Sequence, residues 1–143
     1  MTHGERLFFG VFATSALAAI IAGLALIDPP WVARKRSIDL HRQRDLQALA
    51  GAINGFKMRT KDLPRDLGAL TTATIAPVPS LVDPETGAPY DYRPTSAEAY
   101  ELCATFDTEF DGVQNGIVGA AWRHRAGRQC YEFRNNAFAP SVL

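Results

Sequence analysis

The stretch Tyr100-Glu101-Leu102-Cys103-Ala104-Thr105-Phe106 decides how the second half of this chain folds. Side chains along a strand point alternately to opposite faces, so Tyr100, Leu102, Ala104 and Phe106 share one side while Glu101, Cys103 and Thr105 share the other. A strand apolar on one side needs a covering layer. Upstream, Asp83-Pro84-Glu85-Thr86-Gly87 reads as a turn with proline second and glycine last, and it leads into Tyr90, Asp91, Tyr92 and Arg93, which alternate like a partner strand. Downstream, Gly112, Gly116 and Gly119 loosen the chain into a loop, and Trp122 to Phe133 reads as a last hairpin or edge strand. Pro77 and Pro79 favour extended chain, and the tail with Pro140 carries little pattern.

The two cysteines, Cys103 and Cys130, each lie among strand-like residues, Tyr100 to Phe106 and Gln129 to Phe133. A bridge between strands is the expectation; it would contribute roughly 3 kcal/mol by loop-closure entropy and would need an oxidising compartment. Two buried thiols acting as small apolar residues are the alternative. A metal site would call for CxxC or HxxxH spacing, which the sequence lacks.

Before the strands, Ile38, Leu46, Leu49, Ile53 and Phe56 recur at helical spacing, with Arg42, Arg44, Asp45 and Lys57 largely off that stripe. An amphipathic helix from about Val32 to Met58 follows, its apolar face packed on the strands. Gly51 and Gly55 each cost about 1 kcal/mol of helix propensity, a cost that close packing of a strand would explain. Leu63, Pro64, Leu67 and Leu70 read as a proline-started short helix or turn.

Further upstream, Leu7 to Ile27 holds twenty-one residues without charge or proline. At about 1.5 Å per residue such a helix covers roughly 30 Å, and the expectation is a transmembrane helix. Thr14 and Ser15 would return their hydroxyls to helix carbonyls. Ser15, Ala19 and Gly23 form a face of small residues that a neighbouring helix could approach closely. Asp28, Pro29 and Pro30 would break the helix, with Trp31 at the interface. A cleaved signal peptide is the rival reading.

The expected organisation is therefore a tail at 1-6, a transmembrane helix at 7-27, a kink and amphipathic neck helix at 28-62, and a small α+β head with a C-terminal tail at 63-143. Fifteen basic residues balance fifteen acidic ones, but unevenly. Trp31 to Arg65 carries nine Lys or Arg against three Asp, whereas Asp66 to Leu143 carries five basic and ten acidic residues. A basic neck suits anionic lipid headgroups, and an acidic head argues against nucleic acid. Arg34, Lys35, Arg36, Arg42 and Arg44 follow the apolar run while Arg6 precedes it, which favours a cytoplasmic head. The cysteine pair favours the outside. Weighing the two, the sequence reads as a single-pass bacterial inner-membrane protein with a periplasmic head.

The order of elements resembles the type IV pilin-like and type II secretion pseudopilin-like group. Leu63-Pro64 with Leu67 and Leu70, then Asp83 to Gly87 and Pro89-Tyr90-Asp91-Tyr92, is similar to the segment in which pseudopilins leave the long helix and begin their sheet. Tyr100 to Phe106 and Gly127-Arg128-Gln129-Cys130 also resemble a group of uncharacterised single-span bacterial proteins. The resemblance covers most of residues 32 to 133 and implies an α+β, pilin-like fold. It departs at the start: Gly4 is followed by Glu5 and Arg6, and the fifth residue after it is Phe9, where a pilin has a glutamate.

For chemistry the sequence offers His3, His41 and His124, none in a catalytic motif, with His124 between Arg123 and Arg125, whose positive field would lower its pKa. Asp107-Thr108-Glu109-Phe110-Asp111-Gly112 starts like a calcium loop, with Asp107, Glu109 and Asp111 as weak ligand candidates, but Val118 stands where a closing carboxylate is needed and no helical pair frames the loop, so a polar turn is the expectation and no metal site is assigned. The resemblance strengthens this candidate, since some major pseudopilins bind calcium in a C-terminal loop. No catalytic residue, cofactor or small-molecule substrate is expected. The expected function is a non-enzymatic accessory subunit of a larger membrane complex, photosynthetic or respiratory, or else a minor pseudopilin-like component.

Overall fold

A computed structural model describes residues 3–25, 29–73, 79–114, 117–134 and 141–142. The chain divides into two compact units, Met1–Arg34 and Lys35–Leu143.

The first unit holds helix α1, His3–Ala25. Thr14 donates its hydroxyl to the Gly10 and Val11 carbonyls, and Ser15 donates to Phe12, as short hydroxyl side chains do within a helix. The transmembrane expectation is overturned: among the described residues no helix is long and apolar enough to cross a membrane. The helix that is described, His3–Ala25, takes His3, Glu5 and Arg6 into its first turns. The side chains of Leu7 and Ala25 and residues 26–28, including Ile27 and Asp28, lie outside the described residues, as do Pro77, Gly116 and Pro140. With the span falls the single-pass inner-membrane placement with its periplasmic head; the fold class that stands is α+β.

Helix α2 runs over Pro30–Thr60. Pro30, expected to break a helix, opens this one: at the first helical position its missing N–H is no loss, and Pro29 accepts from the amides of Val32 and Ala33. Lys61 ends the helix in the left-handed region at φ 68°, its N–H donating to Lys57. The fully buried members of its stripe are Leu46, Leu49 and Ile53, with Phe56 partly buried. A short helix α3, Ala69–Ala73, follows; Asp66 caps it through the Ala69 amide at 2.9 Å, so it starts after the turn instead of at Pro64.

The sheet order is β1-β2-β5-β6, antiparallel throughout: β1 Asp91–Pro94, β2 Ala99–Phe106, β5 Gly127–Arg134 and the two-residue β6 Ser141–Val142. Between β2 and β5 lie a second hairpin, β3 Val113–Gln114 with β4 Ile117–Val118, and a 3-10 turn at Ala120–Trp122. The expected final edge strand is thus interior, and the patternless tail supplies the edge, because β6 adds backbone pairing that needs no side-chain periodicity.

Tyr100, Leu102, Ala104 and Phe106 are buried against α2 as their alternation requires, joined by Tyr131 and Phe133 from β5. All four tyrosines have a partner for the hydroxyl: Tyr90 donates to Asp45, Tyr92 to Pro64 O, Tyr100 to Ala50 O at 3.5 Å and Tyr131 to Trp122 O. Burial pushes the pKa of each of them up, which favours the neutral, donating hydroxyl. The glycines of α2 do not admit a strand: a Cβ on Gly51 would meet nothing within 4 Å, and one on Gly55 only the end of Arg59.

Candidate functional site

Helix spacing continues the apolar stripe of α2 backwards in a different chemistry. Asp39 and Arg42 precede Leu46 at the same three- and four-residue steps, and both are only 3% exposed. Lys57 continues it forwards and is buried with its ammonium on Glu98. Arg42 and Lys57 were expected off the buried stripe. The structure puts both on it, because long side chains can lie along an apolar face while their charged ends reach carboxylates.

Arg42 is the centre of the head's polar interior. Its Nε–H donates to Asp83 Oδ2 at 2.5 Å and Nη2 to Asp83 Oδ1 at 3.3 Å, a side-on fork. Nη1 donates to Asp39 Oδ1 at 2.9 Å and to Asp107 Oδ2 at 2.5 Å, and Nη2 also donates to Glu85 Oε2 at 3.2 Å. A guanidinium has five N–H groups, and here all five are spent on protein carboxylates. Burial by itself would lower the Arg42 pKa; the bonds to Asp83, Asp107 and Asp39 outweigh it and hold the group protonated.

Asp83 shows the reciprocal effect. Burial raises its carboxyl, but the Arg42 bond and the amides of Thr86 and Glu85 hold it at about 2. Those amides, at 2.8 and 2.9 Å, make the Asp83 side chain the organiser of the Asp83–Gly87 turn. Asp39 in turn accepts from the Asp107 N–H, the Thr108 N–H and the Thr108 hydroxyl. One turn of helix thereby clasps two loops that are distant in the chain.

A cleft of about 400 Å³ lies over the clasp, bounded by Arg42, Asp83, Glu85, Tyr90 and Asp107. Because Arg42 is saturated, the cleft presents carboxylate oxygens and no free guanidinium. Asp107, the first residue of the calcium candidate, is committed to Arg42, while Glu109 and Asp111 are exposed. Among the described residues no group of three His, Cys, Asp or Glu could hold a metal ion.

Cys103 and Cys130 sit opposite one another in the β2–β5 ladder and form a disulfide on the face away from α2. Around it, Arg93 pairs with Glu101, Arg128 with Asp91 and Arg134 with Glu132, a solvated face of alternating charge. Ser15, Ala19 and Gly23 lie exposed along α1. His41 is exposed on α2. His124 is buried, and its pKa is lowered as expected but for a different reason: burial is the dominant cause, outweighing the Trp122 carbonyl and the charges of Asp39 and Glu109, which raise it.

Comparison with protein-family profiles, with curated proteins and with solved structures finds no match.

Proposed function

We propose that this chain is a non-enzymatic accessory subunit of a larger protein assembly, in which α1 packs among other helices and the disulfide-bonded head meets protein partners. One observation carries the reading. Phe8, Phe9, Val11, Phe12, Leu17, Ile20, Ile21 and Leu24 are 58 to 67% exposed on every side of α1. A helix apolar all round is stable only when covered, and an exposed apolar surface of this size marks an interaction site. Ser15, Ala19 and Gly23 would let a neighbouring helix come close, and a Cβ on Gly23 would meet nothing within 4 Å. The head supports the same role: its buried Arg42 is used up in holding two loops and offers no free guanidinium to a ligand.

Site-specific photo-crosslinking from position 19, in cells that make the chain natively, tests this. A single heavier protein adduct is the expected result, and absence of any protein adduct from positions 15, 19 and 23 overturns it.

A second reading, a minor pseudopilin-like component, is favoured by the packing of a long helix on an antiparallel sheet entered through the Asp83–Gly87 turn. Intact mass separates the two, since cleavage after Gly4 with N-methylation supports pilus-type assembly and an N-terminus at Met1 or Thr2 removes it.

A further inference from the structure

We propose that His124 is an acid-sensitive latch, which when neutral holds the segment around Phe110 closed over α2 and β2 and when protonated releases it. The ring lies face to face on Phe106, with centroids 3.8 Å apart and planes at 17°, and is tilted against Phe110 at 5.7 Å. His124 and Phe110 also exchange both backbone hydrogen bonds: the Phe110 N–H donates to His124 O at 2.9 Å, and the His124 N–H to Phe110 O at 3.0 Å. This single pair is an isolated bridge, outside both sheets. Ring and backbone together fasten the chain that follows β2 to the chain that precedes β5.

The two ring nitrogens are treated unequally. Nδ1 lies 3.2 Å from Trp122 O and, donating to it, leaves Nε2 as the lone-pair nitrogen. Nε2 is buried and has no hydrogen-bond partner among the described residues. A neutral imidazole tolerates this, because an unmade bond to one acceptor is a modest loss. An imidazolium does not, since it would place a second N–H and a full charge in a niche that is 5% exposed.

The charged surroundings do not reverse that balance. Arg36 and Asp39 face the niche from α2, Glu109 and Asp111 come from the loop after β2, and Arg123 and Arg125 flank the histidine itself. From β5, the Tyr131 hydroxyl donates to the Trp122 and Arg123 carbonyls, and Gln129 is neutral. Asp39 and Asp107 are both committed to Arg42, and Asp39 also to the Thr108 amide and hydroxyl. Glu109 also favours the proton, but it is exposed to solvent, which weakens its hold. The direction of the His124 pKa, below the ordinary 6.5, agrees with this geometry.

The released segment takes up a proton at an ordinary histidine value and the closed one does not. Closure is therefore fully favoured above about pH 6.5 and loses up to tenfold in equilibrium constant for each pH unit below it, until the depressed pKa of the closed form is reached. Release uncovers Phe106 and Phe110 while the β2–β5 ladder persists, giving the head an aromatic surface that exists only in acid.

Hydrogen exchange on the full chain tests the latch. Below pH 6.5, after correction for intrinsic exchange, the amides at positions 110 and 124 are expected to lose protection by up to tenfold per pH unit, while those of the β2–β5 ladder change far less. The His124→Phe variant, which keeps the stack without the proton site, is expected to flatten that dependence. Should the variant fail to fold, an NMR titration of His124 in the unmodified chain decides: a midpoint below 6.5 supports the latch. A midpoint at or above 6.5, or protection at 110 and 124 that does not depend on pH, overturns it.

Discussion

Replacing Arg42 with Met removes the guanidinium and keeps most of the stem, so the loss isolates the five bonds. Asp39 and Asp83 are the partners that matter, at 3 and 8% exposed, because each is left as a buried charge without its cation. Asp107 and Glu85 can turn to water, their side chains being 34 and 42% exposed. Breaking a buried ion pair from one side costs about 3–5 kcal/mol, and that is the expected destabilisation. With a urea slope of about 1–2 kcal/mol per molar for a domain of this size, the midpoint should fall by roughly 2 M or more. Arg42→Lys keeps the charge but cannot form the side-on fork, and should lie between. The acid response provides a second readout. Asp83 has a folded pKa near 2 against 3.8 in the unfolded chain, so the unfolded state binds more protons in that interval. Its contribution, about 2 kcal/mol, is complete above 3.8 and is lost as pH falls through 2. In Arg42→Met that acid limb should reverse, since protonating a carboxylate that lacks its cation relieves the core. Urea melts followed by circular dichroism at pH 7, 4 and 2.5 make the measurement. A loss below about 1 kcal/mol at pH 7, or an acid limb unchanged by the substitution, would refute the clasp as the main polar support of the head.

Three other substitutions follow from the backbone and the covalent bridge. Gly51→Ala should raise stability by about 0.5–1 kcal/mol in the same melts, since its Cβ meets nothing and alanine favours the helix. Gly112→Ala should lower it by about 2 kcal/mol or more, because φ is +96° there and a Cβ would lie 2.9 Å from Ala120 Cα; a neutral result would show that the turn can relax. Cys103→Ser with Cys130→Ser should cost about 3 kcal/mol, from a bridge closing a separation of 27 residues, with the chain still folded at pH 7 since the buried face of the sheet is untouched.

Much of the architecture was legible from local pattern. Tyr100 to Phe106 places its apolar members on the buried face because strand geometry alternates whatever the rest of the chain does, and the Leu46, Leu49 and Ile53 stripe selects the buried side of α2 by the same kind of argument. The Asp83–Gly87 turn is equally local, since proline, glycine and an aspartate that bonds its own following amides need nothing from elsewhere. Alternation also put Cys103 and Cys130 on strands, and the register pairs them. The clasp was not legible. Arg42 meets partners 41, 43 and 65 residues away, and a charged residue on a helix reads as solvated until the loops that surround it are in place. Sequence alone shows His124 its arginine neighbours, whereas its ring environment is made by Phe106 and Phe110, which folding brings in. Sequence periodicity determines which side of an element is buried; the tertiary structure decides which charges are buried with it, because desolvation and pairing depend on groups that only the closed chain brings within reach.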